Sequence, residues 1–221
     1  MMRIIISDDI RQRCPEMVGA AVLASVKNTE ENEALWSEIE RFIEGYRQRH
    51  TPESIKQMPA IEATREAYKR CGKDPSRYRP SGEALVRRTL KGHDLYHVST
   101  LVDLINLASI AYGYSIGGFD ADKIQGTTLT LGIGREGEPY EGIGRGTLNI
   151  AGLPVYRDDV GGIGTPTSDH ERTKLSLDTT QLLAIVNGYD GNRELTTACA
   201  KYIQELIREY ADSDGGEILT F

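Results

Sequence analysis

No stretch of this 221-residue chain approaches the length and apolarity of a membrane-spanning segment. Its beginning, MMRIIISDDI, is too polar for a secretory signal, so a cytoplasmic location is expected. Cysteine is scarce: Cys14, Cys71 and Cys199 are odd in number and far apart in sequence. That speaks against a disulfide framework and against a cysteine-rich zinc site. Also missing are a long linker, a low-complexity block and a repeat period, since Gly-Ile-Gly recurs at Gly132, Gly142 and Gly162 only at unequal spacing. One unit over residues 1–221 is therefore expected. The hydrophobic fraction of 39% and charged fraction of 27% are ordinary for a globular protein.

A net charge of -7 weighs against nucleic acid as a partner, but the charge is uneven. Between Lys69 and Lys91 eight basic residues face two acids, Asp74 and Glu83, and Tyr78 lies between Arg77 and Arg79. Such a mixture suits phosphate contact with base stacking. Arg77, Arg79, Arg87 and Arg88 are the candidate RNA contacts; a solvated basic face or internal ion pairs fit the same pattern.

The periodicities give an α+β class, with helices in the first half and strands mostly in the second. Met2 to Ile6 reads as a strand and Val18 to Val26 as a second apolar run, followed by an amphipathic helix from Glu30 to Arg49. Thr51-Pro52 opens a further helical segment towards Gly72, and Ser81 caps a helix over Glu83–Leu90. Residues 98–112 form a helix whose one formal charge is Asp103, so the helix is expected to be buried, with Gly113 ending it. Asn106, three residues on from Asp103, is expected to be buried, hydrogen-bonded and turned towards Gly117. Thr127–Leu131, Thr147–Ile150, Pro154–Arg157 and Lys174–Leu177 read as strands, Leu182–Val186 as an apolar run and Leu195–Tyr210 as a helix.

Several motifs carry less than they promise. Gly132 to Gly137 satisfies GxGxxG after a strand, but Glu138-Pro139-Tyr140 follows where a dinucleotide site needs a helix, so a hairpin turn is preferred. His93 and His97 stand four apart, yet a helix begins only near Val98 and no further ligands accompany them; neither metal nor cofactor is expected. Ser168-Asp169-His170 has the residue types of a triad, but sequence neighbours do not stack easily into a relay. The run from Gly161 to Asp169 offers backbone N–H groups, hydroxyls and an acid to a small zwitterion, or alternatively forms a surface loop with a capping hydroxyl.

The segment Asp103 to Gly126, DLINLASIAYGYSIGGFDADKIQG, resembles the editing module of the bacterial phenylalanyl-tRNA synthetase beta subunit, formed by its third and fourth domains. The pattern of that family runs roughly DxTNYVMLExGQPxHAFDxDKxxG. Asp103, Asn106, Gly113, Phe119, Asp120, Asp122, Lys123 and Gly126 fall on it without a gap. Ile105 replaces its Thr, Tyr114-Ser115 its Gln-Pro and Gly117-Gly118 its His-Ala, while the acid of a later family run falls at Ile185. The resemblance covers about residues 81–186. It implies mixed sheets with packed helices in a layered arrangement, and a pocket for a free amino acid or a tRNA acceptor end. The substrate-binding residues it suggests, with the glycine-rich run, are Asn106, Ser115, Gly117, Gly118, Gly162, Gly164, Thr165, Thr167, Ser168 and Asp169. Expected is a module that hydrolyses mischarged aminoacyl-tRNA in trans, with no catalytic side chain assigned, or a non-catalytic one that binds a free amino acid or another small metabolite.

Overall fold

The computed structural model describes residues 2–221. In chain order the elements are β1 (Arg3–Ile6), α1 (Asp8–Arg13), β2 (Val18–Ser25), α2 (Glu33–Arg49), α3 (Pro59–Arg70), α4 (Ser81–Leu90), α5 (Thr100–Tyr112), β3 (Ile116–Asp120), β4 (Thr128–Ile133), β5 (Glu141–Gly142), β6 (Gly146–Thr147), β7 (Pro154–Arg157), β8 (Gly162–Gly164), β9 (Gln181–Gly188), α6 (Arg193–Tyr210) and β10 (Glu217–Thr220). Helix ends follow local chemistry. Asn32 and Asn192 accept the N–H groups of Leu35 and Leu195, and Gly113 closes α5 in the left-handed region.

Two four-stranded sheets carry the fold. One is antiparallel, in the order β10-β2-β9-β3; the other is mixed, in the order β1-β4-β7-β8, with β1 and β4 parallel. Side chains alternate across β2 and β9, which makes three layers. Ala20, Val22, Leu182, Ala184 and Val186 join the core beneath the helices, whereas Ala21, Leu183 and Ile185 join the core between the sheets. An α+β class with mixed and antiparallel sheets and packed helices is what the structure has.

Helix α5 lies in the helical core, with Leu101, Leu104, Leu107 and Ile110 fully buried. Each such side chain stabilises by about 2 kcal/mol. Asp103 is buried at its first turn, where it accepts Trp36 Nε1 at 2.9 Å and the Val98 N–H at 3.1 Å. Burial raises its carboxyl above the usual range, against those hydrogen bonds.

Some sequence readings need correcting. Pro80, not Ser81, stands at the N-cap of α4, and the Ser81 N–H goes instead to the Pro166 carbonyl at 2.7 Å. Lys174–Leu177 forms no strand beyond one bridge from Lys174 to Phe119, and only Thr147 of residues 147–150 is in a strand. Cys14 and Cys71, distant in sequence, end α1 and α3 in one core, where each thiol acts on the other: Cys71 is raised and Cys14 lowered.

Candidate functional site: an apolar cleft with one polar end

Four parts of the chain enclose a cleft of about 340 Å³. Helix α5 gives Val102, Ile105, Asn106 and Ser109, which recur at helical spacing on one face. Ser81 and Leu85 come from α4, and Ile116 and Gly118 from alternate positions of β3. Thr165, Ser168 and Asp169 form the polar end, and Val98, Ile143, Lys174 and Leu175 complete the wall.

Close backbone packing sets the cleft's shape. A Cβ at Gly82 would lie 2.7 Å from the Tyr114 carbonyl oxygen, so glycine lets α4 rest on the chain entering β3. A Cβ at Gly118 would lie 2.7 Å from Ile105 and 3.1 Å from Leu175, and would fill the floor.

The polar end is held rigidly. Thr165 Oγ1 donates to the Ser168 carbonyl at 3.0 Å and accepts the Ser168 N–H at 3.1 Å. The Tyr140 hydroxyl reaches the same carbonyl at 2.7 Å, and Thr167 Oγ1 donates to the Tyr78 carbonyl at 2.9 Å and lies 2.7 Å from the Tyr68 hydroxyl. Asp169 is half-buried, and its Oδ2 accepts the Gly118 N–H at 3.1 Å. Burial pushes its carboxyl up to about 7, with the Gly118 N–H pulling weakly the other way.

Of the substrate-binding residues expected from the sequence, Asn106, Gly118, Thr165, Ser168 and Asp169 meet in this cleft. Asn106 departs from expectation in detail: it is half-buried, and its amide bonds to no other described residue. Ser115, Gly117, Gly162, Gly164 and Thr167 do not line the wall. Ser115 is buried and accepts the Gly82 N–H at 3.1 Å. Gly162 packs on Tyr140 and Val155 within strand β8, so this part of the glycine run is a sheet edge, not an open loop. Gly117 and Gly164 flank Asp169, their added Cβ atoms falling 3.4 and 2.9 Å from its Oδ1. Gly117 therefore sits in a strand, not a turn, opposite Ile185 in the β3–β9 register. Ile185 is buried between the sheets, not in the cleft. A side chain at 117 would meet the Phe119 ring at 2.7 Å, whereas Asp169 Oδ1, 3.4 Å away, is at ordinary contact distance.

A reading of the sequence as free of any GxSxG form is wrong, because residues 113–117, Gly-Tyr-Ser-Ile-Gly, satisfy it literally. The elbow of that motif lies between a strand and a helix, whereas Ser115 follows a helix and leads into a strand, with its hydroxyl already engaged. Ser168, Asp169 and His170 form no relay either: His170 Nδ1 accepts the Arg172 N–H at 2.9 Å, and Asp169 turns to Gly118. His97 stacks on Trp36 at 3.5 Å between centroids, and no group of three or more metal-ligating side chains occurs among the described residues.

The basic stretch folds partly onto one acid. Glu83 is buried and meets Arg65 at 2.8 Å, Arg87 at 2.9 Å and Arg79 at 3.6 Å, on the side of α4 away from the cleft. Lys73 is buried too, donating to the carbonyls of Asn149 and Ala151. Arg88 follows Ser81 and Leu85 on their helix face, donates to the Asp94 carbonyl and lies over the Tyr96 ring at 4.1 Å. Arg77 lies 5.7 Å from the Tyr78 ring centre.

The fold is α+β, and the cleft between α5, α4 and β3 is largely apolar with one polar end. Residues 63–212 match the model of the B3/4 domain, and the chain belongs to that family, a domain of phenylalanyl-tRNA synthetase beta subunits. It is also similar to a solved N-terminal fragment of the phenylalanyl-tRNA synthetase beta subunit from Pyrococcus horikoshii, at 14% identity and a TM-score of 0.49. That alignment takes in 98% of this chain and 50% of the fragment, so the chain spans half the fragment's length. No curated protein matches the sequence. Among the described residues no helix is long and apolar enough to cross a membrane.

Proposed function

We propose that this B3/4 domain receives the aminoacyl end of a mischarged tRNA in its cleft and hydrolyses the ester in trans, in the cytoplasm. The observation that carries this reading is an unpaired Asn106 amide sharing with Thr165, Ser168 and Asp169 the lining of a largely apolar cleft of amino-acid size. The apolar walls take the side chain, and the polar end takes the α-carbon substituents. A water oriented by these groups attacks the ester carbonyl; a new C–O bond forms, the bond to the ribose oxygen breaks, and free amino acid and tRNA leave. Prepositioned dipoles can support such chemistry without a protein nucleophile.

A second reading, a binding module for a free amino acid without hydrolysis, is favoured by Gly117 and Ile185 standing where the resembled family has a His and an acid. The two readings part on a deacylation assay across a panel of mischarged tRNAs. Hydrolysis of at least one member is expected, and a flat panel would leave only the binding module.

Asn106→Ala is expected to weaken amino-acid binding about tenfold, the worth of one well-placed hydrogen bond. Its thermal midpoint should stay close to wild type, because the amide has no protein partner to lose. Calorimetry and a thermal scan together check this, and equal affinity for both proteins would remove Asn106 from the site.

For the RNA, Arg77 and Arg88 are the cleaner probes. Reversing Arg87 would set a carboxylate against Glu83 and damage the fold. Two or three phosphate contacts to a single-stranded end imply a log-log salt slope of roughly -1.5 to -2. Arg77→Glu with Arg88→Glu should flatten that slope while leaving free amino-acid binding intact. An unchanged slope would remove these arginines from the RNA contact.

A further inference from the structure

Asp169 has features beyond those of a generic polar lining. Its Oδ2 is bonded to the Gly118 N–H, whereas Oδ1 has no hydrogen-bond partner among the described residues, although the side chain lies in the cleft wall. Behind it, Gly117 and Gly164 make room first for the Phe119 ring, which an added Cβ would meet at 2.7 Å from Gly117 and closer still from Gly164, and a Cβ at Gly164 would also come within 2.9 Å of Oδ1. Asp169 thus stands in the cleft wall as an acid with one neutral donor and no cation.

The charged and titratable groups around it are few. From β3 there is only the Gly118 backbone, and α5 and α4 present Asn106, Ser109 and Ser81. Tyr140 packs nearby and donates its hydroxyl hydrogen bond to the Ser168 carbonyl. His170 points its Nδ1 to the Arg172 N–H, and Lys174, although in the cleft wall, is held by Glu171 at 2.5 Å. A half-buried carboxylate without a counter-ion is costly when ionised and gains most from a ligand that brings a positive charge with N–H donors.

We infer that Asp169 is the subsite for a primary α-ammonium group, so that the cleft selects ligands with a free amino terminus and rejects N-acylated ones. The inference rests on the amino-acid or aminoacyl reading of the cleft and specifies which end of the ligand meets which group. Hydroxy acids and N-acyl amino acids, which share the side chain but lack the ammonium, fall outside its substrate class.

Protons and ligand then compete for the site. Because Asp169 is raised to about 7, it is mostly protonated at pH 6, and an ammonium ligand must displace that proton. Affinity is expected to rise as pH increases towards 7 and to level off above it.

The test uses three probes on the full chain: leucine, leucine methyl ester and N-acetyl-leucine. Isothermal calorimetry at pH 6 in buffers of different ionisation heat is expected to show binding of the first two with release of most of one proton. N-acetyl-leucine should bind about thirtyfold more weakly, the worth of a charge-assisted hydrogen bond. Asp169→Asn, which keeps an acceptor for the Gly118 N–H, should level the three probes and abolish the proton release. A substitution that merely loosened the fold would not remove the proton linkage alone. Tighter binding of the ester than of leucine identifies an aminoacyl end as the source of the ammonium, and the reverse identifies the free amino acid.

Equal binding of N-acetyl-leucine, no proton release in the wild type, or no binding of any probe would overturn the inference. Failure of the hydrolase reading looks different, with ammonium-dependent binding intact and no deacylation of any tRNA.

Discussion

Replacing Val102 by tryptophan is expected to lower amino-acid affinity or deacylation by more than about a hundredfold, equivalent to about 2.7 kcal/mol or more. Val102 is half-buried in the first turn of α5 and lines the cleft with Ile105 and Asn106. An indole there occupies space that the ligand's side chain needs. Leu101 and Leu104, its neighbours on the buried faces of the helix, are untouched. The folded state should therefore persist, with a thermal midpoint within a few degrees of wild type. Near-normal binding with a normal midpoint would mean that the ligand lies elsewhere.

Glu83→Gln is expected to cost about 3 kcal/mol of folding stability at neutral pH, the low end of the range for removing one partner of a buried ion pair. Glu83 is 2% exposed, and the three arginines around it are 28%, 43% and 32% exposed. Removing the acid leaves their charges facing one another, although partial exposure lets water recover some of the loss. Urea unfolding followed by Trp36 fluorescence measures the change. A shift under 1 kcal/mol would show that the arginines are carried by solvent and that Glu83 does not organise this side of α4.

How legible all this was in the sequence depended on how local each cause is. The near absence of charge from residue 98 to 112 exposed α5 as buried, and Gly113 marked its end, because periodicity and a left-handed cap are decided within a few residues. The same residues placed Asn106 on the cleft. Some short elements escaped, among them α1 with six residues, β8 with three and β10 with four, although β1 and β7, also of four residues, were legible as strands. β8 in addition reads Gly-Ile-Gly, which looks like a loop until Tyr156 and Arg157 pair with it. The hub at Glu83 was hidden for another reason. A single acid in a basic stretch shows its sign in the sequence, but not that Arg65, Arg79 and Arg87 will turn inward to it. Gly117 looked like a turn because glycine allows one; its place in β3 depends on pairing with the distant Ile185, and only the fold supplies that.

Crystals of the protein soaked with leucyl-adenosine, its ester replaced by an amide that resists hydrolysis, give the most direct reading of the central claim. The account predicts density between α5 and the Thr165–Asp169 end, with the leucyl side chain among Leu85, Val102 and Leu175 and the α-amino nitrogen about 3 Å from Asp169 Oδ1. An empty cleft at saturating ligand, or density seated anywhere else on the protein, would contradict it.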